Sequence, residues 1–207
     1  GHIADVFVVV ALDDANRPAA FLVQGDDPGL TRRNLDALDP TRKLSAVDLS
    51  QVAAERLPAA DAETLSRTLD QAVVALANEM IGGAQHLLAS AVEYSRMRMQ
   101  FGRAIGSFQA IKHKCADLLI EVELARSAAY RAAWAAATGQ PDLPALASLA
   151  KAAASDAYMN AAAACIQIHG GIGFTWDHDT HLWYKRAKSS EVLFGGADYH
   201  RELLVQR

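Results

Sequence analysis

Two cysteines in 207 residues leave no disulfide framework to expect. Cys115 and Cys165 lie in Ala/Leu-rich helical runs and read as buried free thiols of a reducing cytosol, so a cytoplasmic location is expected. Basic charge is also scarce: the formal net charge is −4 and no long basic block occurs, which argues against a nucleic-acid partner. The longest strand-like apolar run, Val6 to Leu12, is far too short to span a bilayer. No signal peptide is visible. No Glu-x-x-His pair occurs, which excludes a di-iron carboxylate bundle. Internal repeats, low-complexity tracts and long linkers are absent as well.

What remains is an ordinary globular composition, 51% hydrophobic and 21% charged. Residues 1–57 read as β-rich. Val6 to Val10 is a dense β-branched and aromatic run suited to a buried strand. Asp13 to Pro18 is a turn cluster, Ala20 to Gln24 the returning strand, Gly25 to Gly29 another turn, and Leu44 to Leu49 a third strand candidate. Two or three strands do not make an independent sheet with a good core. With Gly rather than Met at position 1, the expectation is a fragment whose front β portion is missing.

From residue 58 onward the period becomes helical. Leu65, Leu69, Val73 and Leu76 begin a helix that runs to about Met97, with Asp61 as its N-cap. Gly82-Gly83 inside it cost stability and imply a close approach of another helix or a ligand. A second helix starts near Ser107 and ends near Gly139-Gln140-Pro141. A third starts at Asp142 or Leu143 and ends at a glycine stretch. A fourth runs from about Asp179 to Val192, and a short tail helix follows Gly195-Gly196. Long helices with short links predict an antiparallel bundle, and Ala-rich faces predict close axes. The fold class expected is mainly α: a partial β domain (1–57) followed by a helical bundle domain (58–207).

Three stretches carry possible chemistry. In Gln167-Ile168-His169-Gly170-Gly171-Ile172-Gly173-Phe174-Thr175, three glycines within four positions stop a helix and bare the backbone, with an amide just before the bend. A plain C-cap with a packed loop is the alternative. In Tyr94-Ser95-Arg96-Met97-Arg98-Met99-Gln100-Phe101-Gly102-Arg103, guanidinium groups suited to phosphate gather at a helix end, with an aromatic at a tight turn. Ser107-Phe108-Gln109 adds an aromatic and an amide just beyond. Trp176-Asp177-His178-Asp179-Thr180-His181 looks like a metal cluster, but its spacing fits no standard zinc site, and helix capping by Asp177 or Asp179 is the better reading.

The order of these pieces resembles the C-terminal part of the acyl-CoA dehydrogenase family. A hairpin is followed by a long helix ending in Arg98-Met99-Gln100-Phe101-Gly102-Arg103, then Phe108-Gln109, then Gln167-x-x-Gly170-Gly171-x-Gly173-Phe174 about seventy residues on, then a helix ending Tyr184-Lys185-Arg186-Ala187-Lys188. The resemblance covers essentially the whole chain and is closest in character to actinobacterial heteromeric members acting on steroid side-chain CoA esters. It implies FAD as cofactor, an acyl-CoA substrate, and a homo- or hetero-tetramer with FAD lying across a subunit interface. Arg98 and Phe101 then correspond to the pair reaching the pyrophosphate and adenosine part of a neighbour's FAD. Phe108 and Gln109 contribute to the same face, and Gln167, Gly170 and Gly171 to the adenine end.

The sequence departs from the family at the catalytic base. Most members place a Glu just after the fourth helix, followed by Gly; here that position is Phe194, in Leu193-Phe194-Gly195-Gly196. A minority place it early in the first long helix, near Ala72 here. Neither side chain accepts a proton. Asp70, Glu79 and Glu191 are the nearby carboxylates, Glu191 nearest the usual position, and each is expected to cap or solvate a helix. The expectation is therefore a subunit that completes a neighbour's FAD site without a base of its own. A competent enzyme with a base elsewhere, and a cofactor-free helical interaction module, are the alternatives.

Overall fold

The computed structural model describes residues 1–206. The chain divides into two compact units, the first Gly1–Leu69 and the second from Asp70 onward.

In the first unit, β1 (Val6–Leu12) pairs antiparallel with β2 (Pro18–Gln24), and β2 with β5 (Ala54–Arg56). A second, two-stranded sheet joins β3 (Leu30–Asn34) to β4 (Ser45–Leu49). The β1–β2 turn is closed by Asp13, whose Oδ1 accepts the Ala15 and Arg17 amides at 3.0 and 2.9 Å. This Asx geometry explains why Asp opens the turn cluster. The buried apolar residues of this unit are Ala19, Ala20 and Val23 on β2 and Leu30 at the start of β3. The Val6–Val10 run is not the buried strand its composition suggests. Among the described residues β1 is an edge strand bonded only to β2, and Val6, Val8 and Val10 are exposed while Phe7 and Val9 are half-buried.

The helices follow. α1 (Ala62–Met97) is capped by Asp61, whose Oδ1 accepts the Thr64 amide at 2.8 Å. That bond holds the Asp61 carboxyl below the usual carboxylate range. A hairpin, β6 (Met99–Gln100) and β7 (Arg103–Ala104), and a 3-10 turn at Ile105–Ser107 lead into α2 (Gln109–Thr138). So α2 starts later than Ser107, because the chain first spends a tighter turn. Gly139 then ends it in the left-handed region, φ 67°, with its amide bonded to Ala135 O. α3 (Leu143–His169) ends at Gly170, φ 65°. A 3-10 segment, Gly170–Phe174, precedes α4 (Thr180–Val192), and α5 (Ala197–Gln206) follows.

These helices form the antiparallel bundle. One core runs through Met80, Ala84, Leu87 and Ala91 of α1, Val122, Ala125, Ala129 and Ala132 of α2, and Ala150, Ala154, Tyr158 and Ala161 of α3. Small side chains on α2 and α3 let the two axes come close, while the larger α1 residues fill the space facing them. Gly83 is the closest approach: a Cβ there would lie 2.5 Å from Tyr158 Cζ, whereas at Gly82 it would meet nothing within 4 Å. Only one of the two adjacent glycines therefore serves the helix contact that the pair implied.

Candidate functional site

α1 ends and the hairpin begins at Arg98, whose amide still bonds Tyr94 O at 2.9 Å while its carbonyl accepts the Ile105 amide at 2.8 Å. The hairpin has a two-residue loop, with Gln100 opposite Arg103. Both loop residues have positive φ, Phe101 at 52° and Gly102 at 76°, the sign pattern of a type I′ turn. Gly accepts this without cost. Phe does not, yet Phe101 is held there with its ring 90% exposed. An exposed aromatic on strained backbone is a feature of binding sites rather than of cores. Its ring meets Phe108 edge-on at 6.0 Å, and the Arg103 guanidinium lies 4.0 Å from the Phe108 ring centre. Phe108 is thus fixed from two sides and only half-buried, while Arg98 and Gln109 are exposed.

The second motif lies at the end of α3. His169 is buried and its Nδ1 sits 2.8 Å from Cys165 O. A carbonyl only accepts, so Nδ1 carries the proton in that bond. Burial is the main influence holding the His169 pKa below its ordinary value, with the nearby His178 adding to it. The His169 ring stacks on Tyr94 at 4.2 Å and meets His178 at 4.6 Å. This three-ring column ties the end of α1 to the end of α3, so two motifs far apart in sequence emerge at one end of the bundle. Gly170 and Gly171 are exposed there, with open space where a Cβ would be. Gln167 is exposed and borders a groove of about 600 Å³ between α2 and α3, whose α2 wall begins at Ala110, directly after Gln109.

Two expectations need correction. Neither Asp177 nor Asp179 is seen to cap α4: Asp179 makes no capping bond, and the Thr180 amide instead donates to His178 Nδ1 at 3.2 Å. An imidazole beside the first turn offers an acceptor without needing the extended Ncap backbone, and Asp179 is itself helical in φ and ψ. Asp70 is not solvated but buried, at 7% exposure, on the core side of α1.

The base positions lie at the other end of α4. Arg186 on α4 donates to Glu79 on α1 at 2.9 Å, and Trp183 stacks on His86 at 4.5 Å. These pairs run in opposite chain directions, so Ala72 and Phe194 fall toward the same end of the α1–α4 pair. Ala72 is half-buried. Phe194 sits in a turn at φ 60°, its side chain 41% exposed, followed by Gly195 at φ 102°. The Glu79 and Glu191 carboxylates are both engaged, Glu79 with Arg186 and Glu191 with Lys188 at 2.5 Å. The latter pair holds the Lys188 pKa above its ordinary value.

The sequence reading missed Lys151 and His200. Lys151 is fully buried in α3, and His200, on α5, is buried beside the Phe194 turn. The available signal for Lys151 was that it is the one Lys or Arg in the Ala-rich helix α3.

Comparison with known proteins agrees with this architecture. Residues 63–207 match the family described as acyl-CoA dehydrogenase, C-terminal domain. The chain is 41% identical over 196 residues to acyl-CoA dehydrogenase IpdE2 of Mycobacterium tuberculosis, covering 93% of this chain and 54% of that protein. Among solved structures it is similar to a variant of the steroid ACAD Tcur3481-Tcur3483, with 32% identity and a TM-score of 0.89 over 98% of this chain and 55% of that one. It is also similar to the ChsE4-ChsE5 complex from Mycobacterium tuberculosis, with 27% identity and a TM-score of 0.90 over 100% of this chain and 56% of that one. The chain thus spans about half the length of the relatives it matches. It belongs to the acyl-CoA dehydrogenase family and carries that family's C-terminal helical domain.

Proposed function

We propose that the protein takes part in FAD-dependent α,β-dehydrogenation of an acyl-CoA thioester as a subunit that completes a neighbour's FAD site and lacks a base of its own. The observation that carries this reading is the shared end of the bundle, where Arg98, the strained and exposed Phe101, and the bare Gly170-Gly171 backbone emerge together. The donor set suits a dinucleotide. The Arg98 guanidinium has no hydrogen-bond or ion-pair partner among the described residues, so it is free to take a phosphate in a bidentate way. Phe101 and Phe108 offer aromatic surface to a flat ring or ribose. Gln109 and Gln167 supply amide donors and acceptors, and Gly170 and Gly171 let a ligand approach the backbone closely. When bound, FAD would supply the hydride acceptor for the β carbon of the substrate.

The α proton needs a positioned base within hydrogen-bond reach. Phe194 and Ala72 cannot serve, and the Glu79 and Glu191 carboxylates are held in ion pairs on the helix surface. The base is therefore assigned to a partner subunit at the partner's own site. A homo- or hetero-tetramer is the corresponding assembly, and the relatives' names make a steroid-derived acyl group one substrate to test.

The experiment is anaerobic flavin bleaching of full-length protein by a panel of acyl-CoAs, steroid-derived esters included. The homomer should carry flavin and stay oxidised, because loss of general-base catalysis forfeits about 10²- to 10⁴-fold in rate. Adding a Glu-bearing partner should restore bleaching of only the partner-type sites. Rapid bleaching by the homomer would show that this chain has a base. Purification without flavin would refute the cofactor assignment.

A further inference from the structure

The segment that ends α4 and carries Phe194 is fixed by side chains from two other helices. Lys151, fully buried on α3, donates from Nζ to Glu191 O at 3.0 Å and to Gly195 O at 2.9 Å. Ser155 Oγ, one helical turn further along α3, lies 3.1 Å from the same nitrogen. Between those two carbonyls, Phe194 O accepts from His200 Nε2 at 3.0 Å, and His200 Nδ1 faces Ser148 Oγ of α3 at 3.3 Å. Three carbonyls of one five-residue segment are thereby claimed by Lys151 and His200.

The segment does not hold this shape by itself. Glu191 O is one of the last carbonyls of α4, and the amide four residues on, that of Gly195, bonds Val192 O instead. Glu191 O is thus an orphan of the helix end until Lys151 reaches it. Phe194 and Gly195 both have positive φ. Gly195 allows that, and its missing Cβ also leaves room for the Tyr199 ring, which a Cβ would meet at 2.4 Å. Phe194 has no such freedom, and an L side chain in the left-handed region persists only where its surroundings over-determine it.

A buried ammonium is a costly way to cap a helix. Desolvation pushes the Lys151 pKa down to about 8, and the Glu191 charge offsets only part of that. The geometry accommodates the neutral amine too: two N–H bonds serve the carbonyls, and the lone pair accepts from Ser155. What this arrangement fixes, besides the helix end, is the direction of the half-exposed Phe194 ring.

We propose that Lys151 and His200 are positioning residues that lock the turn presenting Phe194 as a wall of the acyl thioester pocket. The proposal rests on the reading above and on the place of this turn, where the family resemblance sets the base that meets the acyl thioester. Neither residue touches substrate; both act through the backbone of residues 191–195. The wall they set is aromatic where a base would otherwise stand, and so favours an acyl group over water at that point.

The test uses the full-length, FAD-loaded protein, with Lys151→Met and, as the milder variant in case the first fails to fold, His200→Gln. Three quantities are read: hydrogen exchange of the 191–196 amides, affinity for octanoyl-CoA and a steroid-derived CoA ester against CoA alone, and FAD content. Losing a buried bond from a charged donor corresponds to about one to two decades, so exchange at 191–196 should accelerate by at least about tenfold. Acyl-CoA affinity should fall several-fold while CoA affinity and FAD content stay unchanged. Each variant should lose less in a Phe194→Gly background, where positive φ no longer needs enforcing. Unaltered exchange, or a parallel fall in acyl-CoA, CoA and FAD binding, would overturn the proposal and leave a structural role. Faster exchange with unchanged acyl-CoA affinity would also overturn it. If the unmodified protein binds neither acyl-CoA, the underlying reading of the site fails, and the positioning role fails with it.

Discussion

Adjacent glycines in one helix should respond to the same substitution with opposite signs. Gly82 and Gly83 both lie within α1, and alanine at either gains helix propensity of about 1 kcal/mol. At Gly82 the new methyl meets nothing within 4 Å, so the gain stands alone and Gly82→Ala should stabilise by about 1 kcal/mol. At Gly83 the methyl would lie 2.5, 2.6 and 2.7 Å from Tyr158 Cζ, Oη and Cε2. An exposed ring would swing away, but Tyr158 is 1% exposed and packed in the bundle core. Overpacking of this kind costs about 1–3 kcal/mol, which cancels or exceeds the propensity gain. The two variants should therefore differ by about 1–3 kcal/mol, separating their Tm values by a few to about ten degrees in a protein of this size. Thermal unfolding of the paired variants measures this directly. Adding Tyr158→Leu should turn Gly83→Ala neutral or stabilising relative to Tyr158→Leu alone. Equal shifts for Gly82→Ala and Gly83→Ala would refute the assigned helix contact.

Lys151 supplies a pH prediction. Its folded pKa is lowered from 10.5 to about 8, so between these values the unfolded chain holds the extra proton and stability rises with pH. Relative to Lys151→Met, the wild-type protein should gain up to about 3 kcal/mol from pH 8 to 10.5, read from urea midpoints of both; a pH-independent difference would refute it. Arg98→Ala in the full-length protein should weaken FAD retention by about one to two decades, and unchanged occupancy after extensive dialysis would remove Arg98 from the site.

The bundle was legible because its signals are periodic and local. Leu65, Leu69, Val73 and Leu76 repeat at helical spacing, Asp61 caps, and Gly139 and Gly170 stop helices with positive φ. The β portion was only partly legible. Leu30–Asn34 carries two arginines and is exposed beyond its first residue, and Ala54–Arg56 is three residues long. Both are strands because a partner backbone pairs with them, not because their own side chains demand it. Within the candidate site, the Arg98 and Gly170 motifs could be read from spacing, but their convergence depends on the Tyr94–His169–His178 column, which no local pattern announces. Lys151 and His200 escaped because their partners are main-chain carbonyls 40 and 44 residues away for Lys151 and six residues away for His200, and carbonyls carry no sequence signature.

The β6–β7 hairpin also explains why a spacing can behave like a ruler. Its loop holds only Phe101 and Gly102, and its strands are two residues each. Such a loop has no slack. One residue inserted between Arg98 and Gly102 would shift the pairing by one and swap the faces that the strand side chains present. The interval from Arg98 to Phe101 is thus set by the hydrogen-bonded ladder and the handedness of its turn. A ligand spanning the guanidinium and the exposed ring meets a fixed distance, and a chain that altered that interval would change what it could hold before it changed how it folds.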